Sequence, residues 1–126
     1  MKFNKSFIIT ILIFILLAII YFNIPIFHNY AKVTIINNSD SNLSDFNISL
    51  FNSSQKRYFK IIKINEHKKI VFKDFSDTHY VIKYKLHNKL IKKEVGYLTN
   101  GLNFKDTIII NTNSVKLISP PTKWEF

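Results

Sequence analysis

Nothing constrains this chain more than the run Phe7, Ile8, Ile9, Thr10, Ile11, Leu12, Ile13, Phe14, Ile15, Leu16, Leu17, Ala18, Ile19, Ile20, Tyr21 and Phe22, which holds no charge and has Thr10 as its only polar side chain. Continued through Ile24, Ile26 and Phe27, it reaches the roughly 20 residues needed to cross a hydrocarbon core about 30 Å thick. A core helix of a soluble protein would carry a polar stripe, and none is present. Thr10 costs little in such a helix, because its hydroxyl can bond a carbonyl one turn back. A cleaved secretory signal is the rival reading. It calls for a shorter apolar stretch followed by small residues in an Ala-x-Ala-like pattern. Asn29, two positions before Ala31, fits that pattern poorly, and Ala18 lies too deep in the run. The expectation is therefore an uncleaved single-pass anchor over 7–27, behind a short N-terminal segment, 1–6.

The flanks set its orientation. Lys2, Lys5 and the terminal amine precede the span, whereas only Lys32 follows closely, so the N-terminus is expected in the cytoplasm and the remainder outside. Later lysines do not reverse this, because a long folded domain translocates largely regardless of charge. Pro25 is expected to end the helix, with Tyr21, Phe22, Phe27 and Tyr30 as aromatic anchors at the outer interface.

Past a juxtamembrane linker, 28–31, the apolar period changes from continuous to alternating. Phe46, Ile48 and Leu50 alternate with Asn47 and Ser49, and Tyr80, Ile82, Tyr84 and Leu86 alternate with Val81, Lys83 and Lys85. Period two with β-branched and aromatic residues predicts strands with one buried face. Further strands are expected over 32–36, 57–64, 69–75, 89–98, 106–111 and 115–118, with polar turn clusters between them. Seven or eight short strands with no amphipathic helix predict an all-β domain over 32–118, an antiparallel β-sandwich or a small barrel, which both bury one face of every strand; an immunoglobulin-like sandwich is the reading taken. Arg57 to Ile64 resists a face assignment, since Tyr58, Ile62 and Ile64 compete with Phe59 and Ile61; a bulge or burial on both faces would account for it. Only Gly96 and Gly101 are available for all the turns, so Asn and Asp must occupy left-handed positions. Asn100-Gly101 predicts a tight hairpin between strands ending at Leu98 and starting near Phe104. The tail, 119–126, with Pro120-Pro121, is expected to be extended.

Composition narrows the chemistry. There is no cysteine, which removes disulfides, thiolate zinc sites, a catalytic cysteine and a lipid-attachment cysteine. His28, His67, His79 and His87 do not share a site, because His79 and His87, eight residues apart on one strand, are separated by roughly 27 Å. The acids are scattered. Asp74 and Asp77 can approach across a turn, where carboxylates usually cap backbone. No Ser-His-Asp motif and no glycine-rich phosphate loop occurs. The expectation is a protein that is not an enzyme and takes no cofactor, metal or small-molecule substrate.

The net charge is +10, with Arg57 the sole arginine. An AT-rich bacterial genome favours this Lys, Ile and Asn-rich set, so codon bias and a selected anionic partner both account for the charge. The lysines gather at Lys60, Lys63, Lys68, Lys69, Lys73, Lys83, Lys85, Lys89, Lys92 and Lys93. If strands pair in sequence order these form one basic sheet face, with Lys83, Lys85, Lys92 and Lys93 as the candidate surface for an anionic partner. Lysines that only keep sheet surfaces and edges soluble are the alternative. Nucleic acid is not expected, since arginine is nearly missing and the compartment is extracytoplasmic. The expected function is a membrane-anchored, extracytoplasmic interaction module of a bacterial envelope that binds a protein or anionic polymer through this face or a strand edge. An immunity-type protein that neutralises a toxin at the membrane is the second reading, and a small envelope enzyme the third.

Overall fold

The structure, a computed structural model, describes residues 2, 4–23 and 29–120. The apolar run forms one helix, α1 (Lys5–Asn23), with no buried residue. Asn4 caps it, its Oδ1 accepting from the Phe7 amide at 2.7 Å. The Thr10 hydroxyl donates to the Ser6 carbonyl, one turn back, at 2.9 Å, which removes its only side-chain polar penalty. The 19 residues span about 28 Å at 1.5 Å per residue. The helix is thus long and apolar enough to cross a bilayer. Ile24, Pro25, Ile26, Phe27 and His28, with the expected helix stop, and the tail from Pro121, Trp124 included, lie outside the described residues.

The remainder is eight strands: β1 (Tyr30–Asn37), β2 (Leu43–Leu50), β3 (Lys56–Ile62), β4 (His67–Lys73), β5 (Thr78–Leu86), β6 (Lys89–Leu98), β7 (Phe104–Ile110) and β8 (Val115–Ile118). They make two four-stranded sheets, β4-β1-β7-β8 and β3-β2-β5-β6. Alternation works as period two requires: Phe46, Ile48, Leu50, Tyr80, Ile82, Tyr84, Ile108 and Ile110 are all buried. They join residues of the other strands in one core. Contacts across it include Phe72 of β4 against Tyr80 of β5, ring centroids 6.3 Å apart.

Pairing in sequence order does not hold throughout. The pairs β2–β3, β5–β6 and β7–β8 are hairpins, but the chain changes sheet at every other connection. Strand β1 takes β4 as its antiparallel neighbour and β7 as a parallel one. In an immunoglobulin constant domain the first two strands share a sheet, whereas β1 and β2 lie in different sheets. The expected Leu98–Phe104 hairpin is likewise corrected. Gly101 does take a positive φ of 84°, and Leu102 N bonds Thr99 O at 3.3 Å, but the turn carries the chain from one sheet to the other. The amide of Tyr30 is bonded instead to the Asn103 side chain, at 3.1 Å, which ties the start of β7 to the start of β1. The hairpin turn is His87-Asn88, with φ of 54° and 60°, the two left-handed residues that a two-residue turn matched to strand twist requires.

Left-handed conformations fall on Asp45, Asn52, Asn65 and Asp74 as well, so Asn and Asp largely replace glycine as expected. Gly96 serves a bulge rather than a turn: between Thr78↔Leu98 and Tyr80↔Val95, two β6 residues face one β5 residue. The ambiguity over β3 resolves without a bulge in that strand. It is an edge strand, with Ile62 buried and Tyr58, Ile61 and the following Ile64 exposed. The bulge is in its neighbour β2, between Ser44 and Asn47.

Candidate functional site

Directly opposed residues in an antiparallel pair point to the same face, so register decides which lysines share a surface. On β5–β6, Lys83 faces Lys92, Lys85 faces Leu90 and Val81 faces Glu94. These alternate with buried Ile82 and Tyr84 and therefore lie on the outer face of the sheet. Lys93 faces Ile82 and projects to the core side of the same edge strand, where it stays exposed. Three of the four candidate lysines are thus brought together and Lys93 is set apart. It lines an open cleft of about 570 Å³ with Lys89, Tyr84, Leu86 and Ile91, a cleft that Lys92 also borders and to which the β7–β8 turn contributes Thr112–Ser114.

The single basic face expected from pairing in sequence order is not formed. Lys69 and Lys73 lie on β4, in the other sheet, because the chain crosses over between β3 and β4. Within the β3-β2-β5-β6 face, acids temper the charge. The Tyr58 hydroxyl donates to Asp45 Oδ1 at 2.7 Å, and Lys85 Nζ lies 3.3 Å from Asp45 Oδ2. The Tyr58 hydrogen bond, then Lys85, hold the Asp45 carboxyl below its ordinary range, and the same hydrogen bond raises the Tyr58 phenol. This cluster was not foreseen, because Asp45 reaches Tyr58 only through the β2 bulge, where its φ is 47°.

Because the folded Asp45 pKa is depressed, its contribution to stability is present above the unfolded value and is lost as pH falls through the folded value. Replacement Tyr58→Phe removes the larger cause, so the Asp45 pKa should rise toward the ordinary carboxylate range. A carboxyl-carbon NMR titration of both proteins reads this directly, and an unmoved titration would assign the depression to Lys85 alone.

The described histidines are dispersed. His87 Nε2 is 2.7 Å from Asp40 Oδ1. His79 stacks on Phe51, centroids 4.6 Å apart, with Nε2 3.5 Å from Glu94. Asp77 caps the Asn100 amide at 2.7 Å. Among the described residues no three His, Asp or Glu side chains converge on a metal-sized site. Among the described residues Asp106 alone is a buried carboxylate. It accepts from the Tyr80 hydroxyl at 2.6 Å and from Ser119 Oγ. Burial first and this bond second push the Tyr80 phenol up.

The edges differ. The outer edge of β4 is capped by β3-side groups: Gln55 exchanges two hydrogen bonds with Lys73, at 2.6 and 3.1 Å, and Arg57 Nη2 donates to the Val71 carbonyl at 3.0 Å. Strand β6 is an edge too, with Leu90 and Tyr97 each 66% exposed.

No protein-family model matches the chain, and no curated protein matches it at a significant level. Three chains of known structure do match. One, an NMR structure of a protein from Eubacterium rectale, aligns with a TM-score of 0.51 and 11% identity, over 72% of this chain and 88% of its own. The likeness is one of fold alone.

Proposed function

We propose that the protein is a membrane-anchored, extracytoplasmic, non-catalytic binding module of a bacterial envelope. Helix α1 tethers a β-sandwich of immunoglobulin-like layering, though not immunoglobulin strand order, over 30–118. The domain offers Lys83, Lys85 and Lys92, with the adjoining β6 edge, to a protein or anionic envelope polymer. The reading is carried by the juxtaposition of Lys83 and Lys92 beside that exposed edge. Like charges directly opposed across a strand pair destabilise a sheet, and an anionic partner turns that cost into attraction. Tethering raises the local concentration of the module, so weak contacts suffice.

The test compares the full chain with Lys83→Gln/Lys85→Gln/Lys92→Gln, and with Lys93→Gln as an internal control, on purified cell-wall polymer and on the products of neighbouring genes. The triple variant should lose binding and most of its salt dependence, since screening acts only on the charges that remain. Lys93→Gln should bind like wild type. Equal binding by all three proteins would make the lysines bystanders. The same chain fused at Phe126 to alkaline phosphatase should be active and keep its full mass, whereas an inactive fusion would reverse the orientation and a lost N-terminus would replace the anchor by a signal.

A further inference from the structure

The outer face of the β4-β1-β7-β8 sheet is more uniformly basic than the face just described. Its outward positions are those that alternate with buried Val33, Ile35, Ile70, Phe72, Phe104, Asp106 and Ile108. They carry Lys32 on β1, Lys69 and Lys73 on β4, Lys105 on β7 and Lys116 on β8, interspersed with Thr34, Val71, Thr107 and Ile109. No Asp or Glu occurs there, because Asp106, the one acid of these four strands, turns into the core. None of the five lysines forms a salt bridge among the described residues, whereas Lys85 on the opposite sheet is held by Asp45.

Register concentrates this charge. Lys32 is the direct partner of Lys105, and Thr34 is flanked by Lys69 on one side and Thr107 on the other. Lys32, Lys69 and Lys105 border a shallow depression of about 380 Å³ whose lining includes Thr34, Val71 and Thr107. Neighbouring strands lie about 4.8 Å apart, so Lys105 and Lys32, whose ammonium stands 5.0 Å from the Tyr30 ring centroid, put two positive charges on adjacent strands of one face.

The chain ties one end of this sheet to α1. Strand β1 begins at Tyr30, and α1 ends at Asn23, so the start of β1 stands at most about 25 Å from the helix end, at 3.6 Å per residue. Lys32 is two residues further on. Lys73 and Lys105 are at the same end of the sheet, paired with Tyr30 and Lys32. Each lysine held against an anionic leaflet adds to the attraction, and the tether keeps this end of the sheet within reach.

We propose that this face docks on the anionic phospholipid headgroups of the membrane that α1 crosses, so that the domain lies with the β4-β1-β7-β8 sheet against the bilayer and the Lys83–Lys92 face outward. This rests on the anchor reading of α1 and is independent of the partner proposed for the other face.

The test is residue-resolved amine acylation of the full chain in lipid nanodiscs of phosphatidylcholine alone and of phosphatidylcholine with phosphatidylglycerol, read by peptide mass spectrometry. Lys32, Lys69, Lys73 and Lys105 should be acylated several-fold more slowly in the anionic discs, with the protection lost at about 1 M salt, where the screening length falls to about 3 Å. Lys83 and Lys92 should react alike in both discs. In Lys32→Gln/Lys69→Gln/Lys105→Gln, protection of Lys73 should disappear while the circular-dichroism spectrum stays unchanged. Equal rates in the two discs, stronger protection of Lys83 and Lys92, or protection of Lys73 that survives the triple substitution would overturn the docking. A chain that fails to co-elute with the discs would sink the anchor reading as well. One that co-elutes with unprotected lysines overturns headgroup docking alone.

Discussion

Replacement Ile82→Asp should unfold the domain, while Lys83→Asp, one residue on, should leave it folded. Ile82 is 0% exposed in the middle of β5, paired with Ile48 on one side and Lys93 on the other. The substitution deletes a buried aliphatic side chain, worth about 2 to 5 kcal/mol. It also places an unpaired carboxylate in the core, which costs several kcal/mol more even if the group is protonated. The sum is comparable with the whole stability of a small domain, about 5 to 15 kcal/mol. At position 83 the new carboxylate sits in solvent opposite Lys92, where a cross-strand ion pair replaces repulsion. Urea titrations of the full chain in mild detergent, followed by circular dichroism, should show no folded baseline for Ile82→Asp and an unchanged or higher midpoint for Lys83→Asp. Similar midpoints for the two would mean that the faces of β5 are inverted.

The second large effect is expected at Gly96. Its φ of +78° is one that L-residues adopt at a cost of roughly 1 to 2 kcal/mol. A Cβ there would lie 2.9 Å from Leu117 Cδ2 and 3.2 Å from a Tyr80 ring carbon. Gly96→Val should therefore destabilise by about 3 kcal/mol, through backbone strain together with crowding of the buried Tyr80 ring and the Leu117 side chain. Gly96→Ala should cost less, and adding Leu117→Ala should be less harmful in that background than alone, because the clashing methyl is gone. A double-mutant cycle on urea midpoints reads the coupling. Strict additivity would show that strain alone accounts for the loss and that Leu117 does not press on Gly96.

Much of the architecture was legible in the chain and some was not, for a physical reason visible in particular residues. Tyr80, Ile82 and Tyr84 report a strand and its buried face through alternation alone, because that pattern is local. Which strand lies alongside is not local. Asn100-Gly101 specifies a left-handed bend, yet whether the chain then folds back or crosses depends on Asn103 meeting Tyr30, 73 residues away in sequence. The same limit split the lysines. Lys83 and Lys92 share a face because His87-Asn88 makes a short hairpin whose register can be counted. Lys93 leaves that face by the same alternation, which places neighbouring residues on opposite sides. Lys69 and Lys105 border one depression with Lys32 only because β1 recruits β4 and β7 from distant parts of the chain. The Asp45–Tyr58–Lys85 cluster depends on a bulge that no residue type announces.

The placement of β1 has a mechanical consequence. The strand that follows the helix is not at the margin of its sheet but in its interior, with seven residue pairs to β4 and seven to β7. A pull between the helix and a contact at the far end of the domain, near His87 or Asn113, acts along the strand axis. It loads both ladders in shear, so the hydrogen bonds must fail together instead of opening one after another from an end. A domain held by this strand can transmit tension while it remains folded, so a load applied through the helix reaches the far end of the sheet without peeling it.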